Sequence, residues 1–215
     1  MARRIDTVMN KHCGNKWELL LIDDNSSDNS LNIMKSLAKK YNHIKIFHHE
    51  SNRGQTGCFK TGFDNARGDY VITMDGDLQV YPEDLPLFIE KIKKGYEFVN
   101  AIRENRQHSP WMIFASRVNN TLMFVFFKSP VMDNASNYTA IKTEFVRNLP
   151  LTDNDHRYLA PITMRRGLKK FGEVIIRHDL RKRGKSKYTA LPKYLKGFPE
   201  LFIAWWRIRT GEYDK

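Results

Sequence analysis

Apolar residues along the chain come in two alternating patterns. Short continuous runs, "WELLLIDD" at 17–24, "HIKIFHH" at 43–49, "YVITMD" at 70–75 and "YEFVNAI" at 96–102, read as strands. Between them the apolar positions recur at helical spacing: Leu31, Met34, Leu37 and Ala38 in one stretch, and Phe59, Phe63 and Ala66 in the next. "PEDLPLFIEKIKKG" is a third amphipathic helix, opened by Pro82 and stopped by Gly95. "NSSDNS" and "ESNRGQTG" carry turn and cap chemistry and read as loops. Strand and helix in alternation predict an α/β domain with a doubly wound, mostly parallel sheet. Ligands of such sheets bind beyond the carboxyl ends of the strands, and Asp23, Asp24, Asp75 and Asp77 all stand at such ends.

The second half changes character. "SPWMIFASRVNNTLMFVFFK" spaces Trp111, Phe114, Val118, Leu122 and Val125 as one long helix, and "SNYTAIKTEFVRNL" is a strand running into a short helix. "DNDHRYLAPITMRRG" carries a further helix, and "EVIIRHDLRKRGKSKY" is a strand that ends in a basic loop. In the last segment, Tyr194, Leu195, Phe198, Leu201, Phe202, Trp205 and Trp206 share a broad helical face flanked by Lys193, Lys196, Arg207 and Arg209. Paired tryptophans beside cations suit a membrane interface; the plainer reading is a helix packed on the domain. The division expected is one domain over 1–188 with a basic amphipathic extension over 189–215.

A formal net charge of +12 points to an anionic partner: nucleic acid, a phosphorylated small molecule or an anionic membrane surface. Nucleic acid is disfavoured, because the acids gather at strand ends where a nucleic-acid surface would interleave basic and aromatic residues. Cys13 and Cys58 lie outside any CxxC or Cys/His spacing, which fits a reducing compartment and no zinc site. The N-terminus lacks the apolar core of a secretory signal, and no apolar run approaches the ~20 residues of a membrane helix.

The sharpest chemical signal is Asp75-Gly76-Asp77. Residues i and i+2 of a strand share a face, so at the strand end both carboxylates can turn toward one point, with the glycine permitting the bend. Two like charges so close need a cation, and hard oxygen ligands suit Mg²⁺ or Mn²⁺ bridging a diphosphate. A lone DxD is also an ordinary solvated turn, so its context decides. Asp23 or Asp24 is able to accept hydrogen bonds from a nucleobase or ribose, or to cap the next helix. Asn52, Gly54 and Gly57 precede a helix, and Arg53 among them is a mobile cation.

In order and spacing, "ELLLIDDNSSDNS", "NRGQTGCFKTGFDNARGDYVITMDGDLQ" and "PEDLP" resemble glycosyltransferase family 2, within it the dolichyl-phosphate mannosyltransferase and bacterial polyprenyl-phosphate glycosyltransferase branch. Ser116, Arg117 and Asn120, the "DHRYLAP" of 155–161 and the "HDLRKRGKSKY" of 178–188 agree, so the resemblance runs from Trp17 to Tyr188. It implies a GT-A fold, a nucleotide-sugar donor, a divalent metal, Mg²⁺ or Mn²⁺, and a polyprenyl-phosphate acceptor that attacks the anomeric carbon with inversion. Carried over by position, Asp23 or Asp24 would touch the base, with Asn52 beside them. Asp75, Gly76 and Asp77 would handle ribose, metal and diphosphate, and Gln79 would stand next to them. A phosphate is already ionised at neutral pH, so no strong general base is required. Cations are needed instead, and Arg117, Arg157, Arg181 and Lys187 are the candidates for the acceptor or leaving phosphates, with the Ser186 hydroxyl as a further acceptor-phosphate contact. Asp155 would orient an arginine or act as a weak base, while His156 and His178 are expected as structural partners of carboxylates. The place implied is peripheral, on the cytoplasmic face of the membrane.

The sequence departs from that family in two ways. Val80 and Tyr81 stand before Pro82 where relatives have a polar residue and prolines. Relatives also open with an additional strand packed against the nucleotide, whereas "RRIDTVMNKH" has helical spacing at Ile5, Val8 and Met9. In the doubly wound order, that strand would lie between those ending at Asp23 and Asp75. The two strands are therefore expected to pair directly, to be bridged by the segment 2–16, or to stay unpaired; a helical 2–16 rules out the second, and weak nucleotide affinity would follow. Two alternatives remain at this point: a saccharide acceptor served by a carboxylate base at Asp153 or Asp155, and an inactive membrane-associated remnant.

Overall fold

A computed structural model describes residues 1–104, 110–133, 136–152, 154–179 and 190–214, with side chains except at 110–117, 119 and 190–198. The strands are β1 (Leu19–Asp23), β2 (Ile44–His48), β3 (Tyr70–Thr73), β4 (Phe98–Arg103), β5 (Thr139–Lys142) and β6 (Phe171–Ile176). The helices are α1 (Ala2–Cys13), α2 (Ser30–Lys40), α3 (Gly54–Asn65), α4 (Leu85–Lys93), α5 (Pro110–Phe127), α6 (Leu159–Arg165) and α7 (Ala190–Arg209). Every strand and helix expected from the apolar pattern is present, in the expected order.

The strands form two hydrogen-bonded groups, β1-β2 and β3-β5-β4-β6. β1 and β2 are parallel, with Leu19 opposite Ile44, and β4 and β6 are parallel, with Phe98 opposite Phe171. β5 runs antiparallel to both β3 and β4. The larger sheet is therefore mixed, which the sequence does not reveal, because an apolar strand reads the same in either direction. Alternation along its strands feeds two cores. Phe98 and Ile141 face one cluster with Phe63, Met123, Ile162, Leu201 and Tyr213, while Val99 and Ala140 face another with Ile5, Leu85, Phe88 and Val174. Helices thus cover both faces.

β1 and β3 do not pair. The segment before β1 is helical and lies against α4 and the 3-10 turn Pro82–Asp84, where Arg4 donates two hydrogen bonds to Glu83 at 2.8 and 2.6 Å. Of the expected outcomes, the unpaired one is observed. Its trace is visible in burial: the apolar residues Leu19 to Ile22 of β1 are only half-buried, whereas Phe98 to Ala101 of β4 are buried throughout. Among the described residues no helix is long and apolar enough to cross a membrane.

α7 contributes Leu201 and Ala204 to the first core, and Trp205 and Ile208 pack against it. Trp206, next in sequence, is 64% exposed. The two tryptophans expected on one outer face therefore have different surroundings.

Candidate functional site

The first turn of α3 organises the strand ends. The helix begins at Gly54, earlier than "ESNRGQTG" suggests as a loop, because a carboxylate from another strand caps it. Asp24, just after β1, accepts from the backbone N–H of Arg53 and of Gly54, both at 2.8 Å. Gly54 has φ 69°, a conformation that a side chain would strain. Asn52 donates to the Asp24 carbonyl at 3.2 Å. Behind this, the Asp24 carboxylate meets His49 Nδ1 at 2.7 Å, and His49 Nε2 meets Thr61 Oγ1 at 2.8 Å. Burial opposes ionisation of Asp24, but His49 and the two N–H groups outweigh it and hold the carboxyl below its usual range.

Asp24, His49 and Cys58 bring ligand atoms within 4.8 Å of one another. Both ring nitrogens of His49 are engaged, and burial, then the charges of Asp24 and Asp23, push the Cys58 thiol up to about 11. Asp24, His49 and Thr61 form a hydrogen-bonded anchor, and Cys58 beside it stays a thiol at neutral pH.

Asp23 is placed differently. Its Oδ2 accepts from Ser26 N at 3.3 Å and meets His48 Nδ1 at 2.8 Å, while its Oδ1 is buried without a hydrogen-bond partner. Bonding to Ser26, then to His48, outweighs burial and keeps the carboxyl low, so a buried anion retains an unused acceptor. The sequence left Asp23 and Asp24 equivalent; the structure gives Asp24 a capping task and Asp23 the orphan oxygen.

The same turn of α3 reaches the DxD. Gln55, adjacent to Gly54, donates its amide to Asp75 Oδ1 at 3.0 Å, and Asn137, ahead of β5, donates to Asp75 Oδ2 at 3.3 Å. The Asp77 carboxylate accepts from the N–H of Gln79 at 3.1 Å. The bend itself differs from the expectation. Gly76 does not take a positive φ; Leu78 does, at 64°. A Cβ on Gly76 would meet nothing within 4 Å, so this position leaves space above the turn and does not supply the bend.

Of the candidate cations, Arg157 belongs to the 3-10 turn Asp155–Tyr158, which docks on α3 where Thr56 Oγ1 meets His156 Nδ1 at 2.7 Å. His156 thus has a hydroxyl among its partners. Arg157 pairs with Glu200 of α7 at 2.9 Å and stays partly exposed. Asp155 is buried, with both oxygens 2.9 Å from Arg207 Nη1 and one accepting from Thr152 N at 2.8 Å. Arg117 lies on α5, outside the described side chains, and Asp153, Arg181, Ser186 and Lys187 lie outside the described residues. The residues leading into that basic segment are fixed: Asp179 N donates to Gln79 O at 2.9 Å, Gln79 Nε2 donates to Asp179 O at 3.3 Å, and Val80 bridges His178. The DxD turn and the exit of β6 are therefore neighbours.

Sequence reasoning missed Gln55, Asn137 and His49. Gln55 carries a weak signal, a polar residue in the first turn of a helix that follows a strand-end loop; Asn137 and His49 carry none, since their partners lie far away along the chain.

The profile of "Glycosyl transferase family 2" matches residues 1–149. The chain is 31% identical over 190 residues to an undecaprenyl-phosphate 4-deoxy-4-formamido-L-arabinose transferase of Klebsiella pneumoniae; the match covers 88% of this chain and 58% of that protein. Glucosyl-3-phosphoglycerate synthase from Mycobacterium tuberculosis with phosphoglyceric acid superposes with a TM-score of 0.66 at 14% identity, covering 95% of this chain and 73% of that one. The same enzyme with Mn²⁺, uridine-diphosphate-glucose and phosphoglyceric acid gives 0.63 at 16% identity, over 90% and 69%. These two likenesses are likenesses of fold.

Proposed function

The chain belongs to glycosyl transferase family 2, and from that premise we propose that it moves a sugar from a nucleotide-sugar donor to a polyprenyl phosphate, dolichyl or undecaprenyl, at a membrane surface. The observation that carries this reading is the first turn of α3, which holds Asp24 through two backbone N–H groups and Asp75 through Gln55. One helix turn thereby orders two strand ends, and their carboxylates suit an anionic donor through a cation between them.

Within the reading, Asp23, at the end of β1, is the base or ribose acceptor; its Oδ1 lacks a donor, and its side chain is closed off here, so the contact requires the surrounding loop to open to the ligand. Asp75 and Asp77 suit Mg²⁺ or Mn²⁺: the donors are hard oxygens, and there is room over Gly76. When bound, such an ion offsets charge on the diphosphate and stabilises it as it departs. Gln55 and Asn137 keep the Asp75 carboxylate turned toward the site, and Gln79 N–H does so for Asp77. The phosphate oxygen of the acceptor forms a bond to the anomeric carbon while the bond from that carbon to the nucleoside diphosphate breaks, with inversion. The attacking group is already an anion, so the protein's task is to hold two anions together, with Arg117, Arg157, Arg181, Ser186 and Lys187 as the groups proposed for it. A saccharide acceptor would need a carboxylate base, and Asp155 gives that alternative no support, since Arg207 and Thr152 N engage its oxygens.

The proposed place is the cytoplasmic face of an anionic membrane; contact with a membrane surface, though not the choice of face, is supported by exposed apolar side chains on two packed helices: Phe124 and Val125 of α5, and Phe202, Ile203 and Trp206 of α7. Phe126 meets Phe202 edge-on at 5.2 Å between them, and Lys128 and Arg209 stand over nearby rings.

The test is transfer from a panel of nucleotide sugars to undecaprenyl or dolichyl phosphate, with calorimetry of the same nucleotide sugars with and without Mn²⁺. A lipid-linked sugar phosphate is expected, and Asp77→Asn is expected to abolish metal-dependent binding. Metal-independent donor binding that survives Asp77→Asn would overturn the site.

A further inference from the structure

The segment that leaves the DxD turn is held from outside itself. Tyr81 lies three residues beyond Leu78, and its hydroxyl donates a short hydrogen bond to Asp179 Oδ2. Two guanidiniums lie over its ring, Arg177 at 4.7 Å and Arg4 at 5.3 Å from the centroid. Each guanidinium is fixed by a carboxylate of the following 3-10 turn. Arg177 donates to Asp84 from Nε at 3.0 Å and from Nη2 at 2.6 Å, and Arg4 is forked onto Glu83. The ring therefore joins three parts of the chain distant in sequence: α1, the segment after the DxD, and the exit of β6.

The DxD turn depends on such support. Leu78 occupies the left-handed region without being glycine, a conformation that persists only where its surroundings impose it. The Asp77 carboxylate accepts from the N–H of Gln79, so a shift of Gln79 is passed on to it. Gln79 is fixed by two hydrogen bonds with the Asp179 backbone, and Asp179 in turn by the Tyr81 hydroxyl. The line from Tyr81 through Asp179 and Gln79 to Asp77 is continuous.

We propose that Tyr81 is a positioning residue for the DxD turn: its hydroxyl and stacked ring hold Gln79 against the exit of β6 and thereby hold Asp77 in the geometry that binds a divalent cation. This rests on the reading of Asp75 and Asp77 as metal ligands. Arg177 and Arg4 are more than a third exposed, so the clamp contributes little to global stability and its loss shows in ligand geometry.

The experiment is titration with Mn²⁺ alone, followed by the electron paramagnetic resonance of the free ion, on the full chain and four variants. Tyr81→Phe keeps the ring beside the guanidiniums and removes only the hydroxyl; it is expected to weaken Mn²⁺ binding by up to about tenfold, the net worth of one hydrogen bond, and to lower the thermal midpoint by no more than about 3 °C. Tyr81→Leu removes the stacking as well and is expected to weaken it further. Asp179→Asn still offers an acceptor to the hydroxyl and is expected to retain most of the affinity. Asp77→Asn separates the two readings. If it abolishes Mn²⁺ binding while Tyr81→Phe and Tyr81→Leu bind as the unaltered chain does, the clamp is overturned and the metal site stands. If Asp77→Asn binds Mn²⁺ normally, the metal site fails and the clamp with it. Should Tyr81→Leu fail to fold, Tyr81→Phe decides alone.

Discussion

Replacing Asp155 by alanine separates a structural carboxylate from one that works on substrate. Its side chain is 5% exposed and that of Arg207 is 13% exposed, so the pair is almost fully desolvated. Removing one partner of a buried pair costs about 3–5 kcal/mol, because the remaining charge is stranded. Glu212 still holds Arg207 through bonds of 2.7 and 2.9 Å, which favours the lower end, about 3 kcal/mol. The lost acceptor for Thr152 N adds to this. With an unfolding entropy of about 2.1 cal/mol/K per residue over 215 residues, about 0.45 kcal/mol/K in total, the midpoint should fall by about 7 °C. Asp155→Asn keeps one acceptor and should fall less. The assay is thermal unfolding alongside turnover at a temperature where the variant is folded, and turnover there should stay near that of the unaltered chain. A midpoint within about 2 °C of the original, with turnover lost, would refute the structural reading and make Asp155 a base.

The acid limb of stability offers a second check. Asp23 and Asp24 both titrate lower in the folded chain than in the unfolded one, so their stabilisation is present above the unfolded value, about 4, and is lost as pH falls through the folded values. Asp24→Asn should lower stability at neutral pH and flatten its pH dependence below about 4, measured by urea unfolding across pH; an unchanged slope would contradict the capping role. At the C-terminal helix, Trp206→Glu should reduce sedimentation with anionic liposomes while leaving the thermal midpoint intact, and Trp205→Glu should lower the midpoint, since only Trp205 packs on the core. Equal sedimentation of the Trp206→Glu variant and the unaltered chain would remove that helix from the membrane surface.

The sequence by itself determined the elements and their order, because strand and helix periodicity are local properties: four consecutive apolar residues before Asp23, or Leu31, Met34, Leu37 and Ala38 on one face, need no distant partner to be read. It also placed Asp23, Asp24, Asp75 and Asp77 at strand ends, since charged residues close an apolar run wherever the chain leaves the sheet. Only the tertiary structure decided which of these acids is committed. Asp24 is occupied by N–H groups about 30 residues away in the chain and Asp75 by amides of Gln55 and Asn137, while Asp23 keeps an oxygen without a partner. The direction of β5, the unpaired edges of β1 and β3, and the separate fates of Trp205 and Trp206 were likewise decided there. The physical reason is common to all of them. A side chain's type fixes what it is able to bond, but a hydrogen bond or an ion pair depends on which groups the packed layers bring within about 3 Å, and that distance is not a property of any local stretch of sequence.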